Sequence, residues 1–251
     1  MAIGERFFYP KLQSTYLELS SSIFSTQRDL IVFDIGANKG QSIRFFIGIF
    51  PRVKIYAFEP SKNTFDILKK YVSKVDGREV HVFQIGLGEV SETRNFYESI
   101  LSETSTFVLP NENSLYLKKK NRILFQKSEN AFTIVSANLS TFDAFIKDCG
   151  IDFVDVVKID VEGFEYEVLQ GASNALKAKK IGVIQFERHT NDMRNDNFEV
   201  IDQFLRNNWY LKVSEIKHPF GNFLRSYIEV NRLIMNFDLR IGNPDIHNGN
   251  N

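Results

Sequence analysis

The feature that most constrains this chain is an alternation that runs through most of it. Short apolar, β-rich runs at residues 30–34, 53–58, 80–85, 155–159 and 181–186 are separated by segments with helical spacing. That order predicts βα units on a mainly parallel sheet with helices on both faces. Residues 41–50 read as a helix stopped by Pro51. Residues 61–73 read as another, with Ser61 as its N-cap and Phe65, Leu68 and Val72 at helical spacing. Ser140 followed by Asp143 looks like a capping box opening a helix to residue 148, and residues 162–176 and 198–207 read as helices. Residues 209–213 and 227–235 supply late strands, for about seven in all. Residues 96–109 read as irregular β structure or loop.

A chain of 251 residues fits one α/β domain, here expected over residues 1–242. The polar Gly/Asn-rich stretch 243–251 reads as a frayed tail. The 24 phenylalanines read as compositional drift rather than chemistry. Lys plus Arg and Asp plus Glu both number 31, so no global basic field gathers nucleic acid or anionic lipid. Cys149 is the single cysteine, which suits a reducing compartment, and no Cys/His spacing reads as a metal site. Residues 1–8 lack the apolar stretch of a signal peptide, and no apolar run is long enough to span a membrane. A cytoplasmic location is therefore expected. The segment 111–130 carries Lys118, Lys119, Lys120, Arg122 and Lys127. It reads either as a solvated loop or as a basic wall of a substrate site that attracts an anionic group.

The sharpest local motif is Asp34-Ile35-Gly36-Ala37-Asn38-Lys39-Gly40-Gln41-Ser42, which follows the first strand and opens a helix. Gly36 has no Cβ, so a ligand can lie against the backbone, and Gly40 allows a tight start to the helix. The helix N-terminus offers unpaired N–H groups. The glycine spacing differs from the dinucleotide fingerprint, and the ending of a phosphate-binding P-loop is missing. An acid at this position repels a pyrophosphate but attracts an ammonium. A second motif, Glu59-Pro60, ends the second strand roughly 20 residues further on, where an acid accepts hydrogen bonds from ribose hydroxyls. Each motif also has a plainer reading. Asp34 could be a local cap in a tight turn, and Glu59 a surface acid near a helix start.

The third motif is Val157-Lys158-Ile159-Asp160-Val161-Glu162-Gly163-Phe164-Glu165, followed by Val168-Leu169-Gln170-Gly171-Ala172. Together with Asp34-Ile35-Gly36-Ala37-Asn38, Phe58-Glu59-Pro60 and Leu139-Ser140-Thr141-Phe142-Asp143, it resembles the FkbM family of O-methyltransferases over residues 31–187. The resemblance implies a Rossmann-like class I methyltransferase fold with strand order 3-2-1-4-5-7-6 and the last strand antiparallel. It implies S-adenosyl-L-methionine as cofactor and methyl transfer to a hydroxyl, often of a sugar or a polyketide-type metabolite. It also implies that Asp34, Gly36, Ala37, Asn38, Gly40 and Ser42 surround the methionine side, that Glu59 and Pro60 hold the ribose, and that Gly86 lies beside adenine. Asp160 would face the sulfonium. The basic 111–130 segment departs from the family pattern.

Methyl transfer to an alcohol needs orientation and a proton acceptor. Candidates at the strand ends are Asp160, Glu162, Glu187 and His189. Lys158 sits in a strand that should be buried and needs an acidic partner, either Asp34 or Glu187. His189 also reads as a surface histidine just past a strand, and Glu162 and Glu165 as acids favoured in the first turn of a helix. Asp160, Glu162 and His189 could ligate magnesium or calcium, a reading the spacing does not favour. The expected acceptor is a small molecule or a glycan hydroxyl. Methyl transfer to nitrogen or RNA, or a silent nucleoside-binding module, are the rivals. The sequence carries no signal for an oligomeric state.

Overall fold

A computed structural model describes residues 5–23, 28–99, 105–109, 132–189, 198–217 and 224–231. The elements, in chain order, are α1 (Glu5–Ile23), β1 (Leu30–Ile35), α2 (Gln41–Ile49), β2 (Val53–Phe58), α3 (Lys62–Val72), β3 (Glu79–Phe83), β4 (Gly86–Leu87) and β5 (Glu92–Ser99). They continue with β6 (Phe132–Ser140), α4 (Phe142–Asp148), β7 (Val154–Ile159), α5 (Glu165–Gln170), α6 (Ser173–Lys177), β8 (Ile181–His189), α7 (Phe198–Asn207), β9 (Tyr210–Lys217) and β10 (Leu224–Asn231).

Seven strands form the main sheet in the order β3-β2-β1-β7-β8-β10-β9. Numbered among themselves, they run 3-2-1-4-5-7-6, as the family resemblance implies. β1, β2, β3, β7 and β8 pair in parallel, and β10 is antiparallel to β8 and β9. All six residues of β7 are buried, as expected of a parallel strand covered on both faces. Two apolar clusters fill those faces. On one face the phenylalanines are structural. Phe145 meets Phe58 at 4.7 Å and Phe83 at 4.9 Å, and Phe33 meets Phe142 at 5.1 Å. Part of the aromatic abundance thus serves packing.

The structure changes several boundaries. β8 runs on to His189, so that residue ends the strand rather than following it. The expected helix over 162–176 is two short helices, interrupted at Gly171 and Ala172. A Cβ on Gly171 would lie 1.9 Å from the carbonyl oxygen of Gly88, so the chains touch backbone to backbone there. The cap of α4 is Thr141, which accepts the N–H of Ala144 at 3.0 Å. Asp143 instead accepts the N–H groups of Asn174 and Ala175, both at 2.8 Å, tying α4 to α6. Ser61 caps α3 as expected, accepting the N–H of Thr64.

Two features were absent from the sequence reading. The first is α1, whose Leu12, Tyr16 and Leu19 are buried. Tyr16 packs edge-on against Phe46 and Phe50, and its hydroxyl donates to Gln185 at 2.9 Å. The second is a three-stranded sheet in the order β4-β6-β5, where residues 132–140 supply the central strand. Residues 111–130 and 243–251 lie outside the described residues. No helix among the described residues is long and apolar enough to cross a membrane.

Candidate active site

The carboxyl ends of β1, β2 and β7 meet the small sheet around an open cleft. This is the position at which open α/β sheets bind ligands. The glycine turn after β1 forms one edge. Gly36 and Asn38 line the cleft, with φ angles of +80° and +47°. A Cβ on Gly36 would sit 2.0 Å from the carbonyl oxygen of Asp160. Glycine is therefore required first by the close passage of this turn against the end of β7, and not only by a ligand. Gly40, at φ +92°, would place a Cβ 2.5 Å from the ring of Tyr71, so it lets α2 pack on α3. Ala37 is buried in the core. Asp34 is fully buried and accepts a 2.6 Å hydrogen bond from Ser42. Asp34, Ala37, Gly40 and Ser42 thus build the turn from behind, whereas the family resemblance implies that all of them surround the methionine side.

Glu59 directly follows β2 and is almost fully buried. One carboxylate oxygen accepts the N–H of Asn38 at 3.0 Å, the other the N–H of Ser61 at 2.9 Å. Burial pushes this carboxyl up to about 7, against the downward pull of those two N–H groups and of Lys158. A carboxylate has about four acceptor positions, so two backbone bonds fix its orientation and leave capacity for two hydroxyls. Pro60 lines the cleft beside it, and Gly86 and Leu87 line it from β4.

Lys158 explains how several acids coexist here. Strand register places Asp34, Lys158 and Gln185 in one row across β1, β7 and β8. The ammonium lies 3.3 Å from Asp34 and 3.3 Å from Asp160, and donates to the carbonyl of Gly36 at 3.0 Å. Burial opposes its charge, but Asp34, Asp160 and Glu187 outweigh that penalty and hold its pKa above the ordinary lysine value. Lys158 therefore keeps its proton near neutrality and acts as a fixed cation rather than as a base. Of the two partners expected, Asp34 is in contact, and Asp160 joins it.

Glu187 follows Phe186, the register partner of Ile159, so it stands beside Asp160 on the neighbouring strand. Burial pushes its carboxyl well above the usual carboxylate range, and the charges of Asp160, Glu162 and Glu165 add to that push while Lys158 opposes it. His189 pairs through its backbone register with Leu224, and its side chain lies outside the described residues. Among the described residues no group of three or more His, Cys, Asp or Glu is arranged to hold a metal ion.

Asp160 and Glu162 line the cleft, but Glu162 precedes the helix instead of opening it. Glu162 and Gly163 both take left-handed backbone angles, φ +60° and +96°. Glu165, almost fully buried, accepts the N–H of Gly163 at 3.0 Å and approaches that of Val161 at 3.4 Å. Its side chain stabilises the turn rather than the helix dipole. The opposite wall was missed in the sequence: Phe96, Ser105 and Phe107 line the cleft. Phe107 packs on Phe96 at 4.7 Å and on Phe164 at 5.4 Å. A Cβ on Gly86 would reach that ring at 2.6 Å, so Gly86 makes room for the wall. The glycine was the only local signal, and it does not name its partner.

With this geometry in hand, a profile of the methyltransferase FkbM domain matches residues 34–211. "Methyltransferase sdnD" of Sordaria araneosa is 29% identical over 153 residues, which cover 56% of this chain and 59% of that protein. "Hexuronic acid methyltransferase AglP" of Haloferax volcanii is 26% identical over 159 residues, covering 63% of this chain and 56% of that protein. "2-O-methyltransferase NoeI" of Sinorhizobium fredii is 20% identical over 149 residues, 59% of either chain. The chain thus spans less than two thirds of the length of these relatives. Among solved structures, magnesium protoporphyrin IX methyltransferase from Synechocystis, with bound S-adenosylmethionine, superposes with a TM-score of 0.52 at 10% identity. That superposition covers 91% of this chain and 80% of the other, a likeness of fold alone.

Proposed function

The chain belongs to the methyltransferase FkbM domain family, and on that premise we propose that it transfers a methyl group from S-adenosylmethionine to a hydroxyl of a sugar, glycan or glycosylated metabolite. The observation that carries the reading is Glu59. Its carboxylate is oriented by two backbone N–H groups at the edge of the cleft, as a receptor for the two ribose hydroxyls should be. Around the Gly36 turn the acids Asp34, Glu59 and Asp160 outweigh Lys158, which disfavours a pyrophosphate and so disfavours a dinucleotide. The sugar acceptor is supported by two relatives whose names specify hexuronic acid and 2-O methylation.

S-adenosylmethionine, when bound, supplies a methyl group already activated on a sulfonium. The chain's own residues have two tasks. Gly36 and Asn38 border the methionine side and Glu59, Pro60 and Gly86 hold the nucleoside side, with Asp34 and Ser42 stiffening the turn from behind. Asp160, which lines the cleft with the acid Glu187 beside it on the next strand, takes the hydroxyl proton as the new C–O bond forms and the S–CH3 bond breaks. Lys158 keeps this acidic pair from driving itself apart. His189 remains a second acceptor at the same edge, and the basic segment 111–130 could steer an anionic acceptor.

Two measurements test the reading. Calorimetry with S-adenosylhomocysteine should show saturable binding, and NAD should show none; the reverse result overturns the cofactor. Radiolabelled methyl transfer to a panel of sugar hydroxyls should exceed transfer to matched amines, and transfer to nitrogen acceptors alone would overturn the acceptor class.

A further inference from the structure

Thr106 is buried, and its polar groups are engaged in a way no role so far explains. Its backbone pairs with Tyr97 of β5 in both directions, at 2.8 and 3.1 Å. Its hydroxyl donates to the carbonyl of Glu162 at 3.0 Å and accepts the N–H of Val108 at 3.1 Å. The next residue in the chain is Phe107, which lines the cleft, and the previous one, Ser105, lines it too. Ser105 is fastened to the end of β5 by the N–H of Ser99 at 3.0 Å. The Glu162 carbonyl belongs to a residue in the left-handed region, a conformation that persists only where its surroundings hold it. Glu165 holds the neighbouring N–H groups of that turn, and Thr106 holds its carbonyl.

From this arrangement we propose that Thr106 is a positioning residue that clamps the aromatic wall of the cleft to the Glu162 turn, so that wall and turn grip a bound nucleoside as one unit. The proposal rests on the cofactor reading given above. Its physical basis is that wall and turn lie on different elements, 56 positions apart in sequence, and this hydroxyl bonds to both. A methyl in its place would remove the bond to the Glu162 carbonyl and the bond from the Val108 N–H together while leaving the shape intact.

The test compares Thr106→Val with Thr106→Ser. The serine keeps the hydroxyl and should bind S-adenosylhomocysteine as wild type does. The valine should bind about tenfold more weakly, the usual consequence of leaving a buried hydrogen-bonding group unmatched. Amide hydrogen exchange without ligand supplies a readout that a loss of global stability would not mimic. In Thr106→Val, exchange should rise together in peptides covering 105–109 and 160–164, with α2 and β1 unchanged. Equal affinity in valine and wild type, or faster exchange in only one of the two segments, overturns the clamp. If wild type itself fails to bind S-adenosylhomocysteine, the cofactor reading falls and takes the ligand half of the proposal with it. Coupled exchange in the valine variant would then still support the mechanical link, and uncoupled exchange would overturn that too. Should the valine variant not fold, Thr106→Ala, which opens the same carbonyl to water, replaces it in both arms.

Discussion

The two sides of the cleft are assembled over different distances along the chain. On the side of β1 and β2, Asp34, Gly36, Asn38 and Glu59 come from within 26 residues, and the bond from Asn38 to Glu59 joins positions 21 apart. On the side of the small sheet, Thr106 reaches Glu162 across 56 positions, and Gly171 packs its backbone on Gly88. The first side is a strand–turn–helix unit close in sequence, pinned at Gly36 against the end of β7. The second is a set of contacts between elements that meet only after the sheet has formed. Single changes should therefore act differently on the two sides: changes on the near side should combine a stability cost with ligand loss, and changes on the far side should mainly loosen packing.

The strongest contrast comes from two glycines that face backbone oxygens at almost the same distance. Gly36→Ala introduces a Cβ 2.0 Å from the carbonyl oxygen of Asp160 and also forces a side chain onto φ +80°. We expect a loss of at least about 4 kcal/mol in denaturant unfolding, with no measurable nucleoside binding. A stable, binding-competent variant would show that the turn is not pinned to β7.

Glu59→Gln probes the same side without backbone strain. It should weaken S-adenosylhomocysteine binding about 100-fold, the scale expected when charge-assisted hydrogen bonds are lost, and also lower the melting temperature, because the amide nitrogen cannot accept one of the two backbone N–H groups. Calorimetry beside thermal unfolding separates the two effects, and an unchanged Kd would remove Glu59 from the ligand site.

Gly171→Ala is the far-side counterpart. A Cβ there meets the Gly88 carbonyl at 1.9 Å, but Gly171 has an ordinary helical φ of −67°, so the clash acts alone. We expect a loss of about 2 kcal/mol, smaller than at Gly36, with nucleoside affinity reduced less than in Glu59→Gln. If the two alanine variants lose equal stability, the left-handed conformation at Gly36 contributes nothing.

The smallest expected effect is a pH dependence confined to the near side. Glu59 has its carboxyl raised to about 7, so it is mostly protonated at pH 6 and mostly ionised at pH 8. Hydroxyl donors bind the ionised form, so affinity should improve about tenfold from pH 6 to pH 8. For folding the sign is opposite. A carboxyl whose pKa is raised by folding contributes stability that is complete below its unfolded value near 4.5 and lost as pH rises through about 7. Tighter binding at pH 6 than at pH 8 would contradict this assignment.

What was legible in the sequence tracks the same division. The Asp34–Ser42 turn, Glu59-Pro60 and the Lys158–Glu165 motif were recognisable because each is short, continuous and attached to a strand end, where residue type and backbone conformation are tightly linked. They were enough to give the strand order of the main sheet, the family, and the residues that end its strands at the cleft. Roles within those motifs were less legible. Asp34 and Ser42 face each other rather than the cleft, Glu162 stands before its helix, and Glu165 caps the turn instead of the dipole. Residue type does not say which way a side chain turns when several polar partners are within reach.

The sequence by itself determined the parallel α/β architecture and the identities at the carboxyl ends of β1, β2 and β7. Period-two and helical patterning, and glycines at turns, are properties of neighbouring residues. Only the tertiary structure decided that α1 covers the sheet through Leu12, Tyr16 and Leu19, that residues 132–140 join a second sheet, and that Phe96 and Phe107 form the far wall. Only the tertiary structure gave Lys158 both Asp34 and Asp160 as partners. The physical reason is that burial and ion pairing depend on what lies opposite in space. A lysine within an apolar strand announces that it needs a counter-charge, but the strand beside it decides which one it receives.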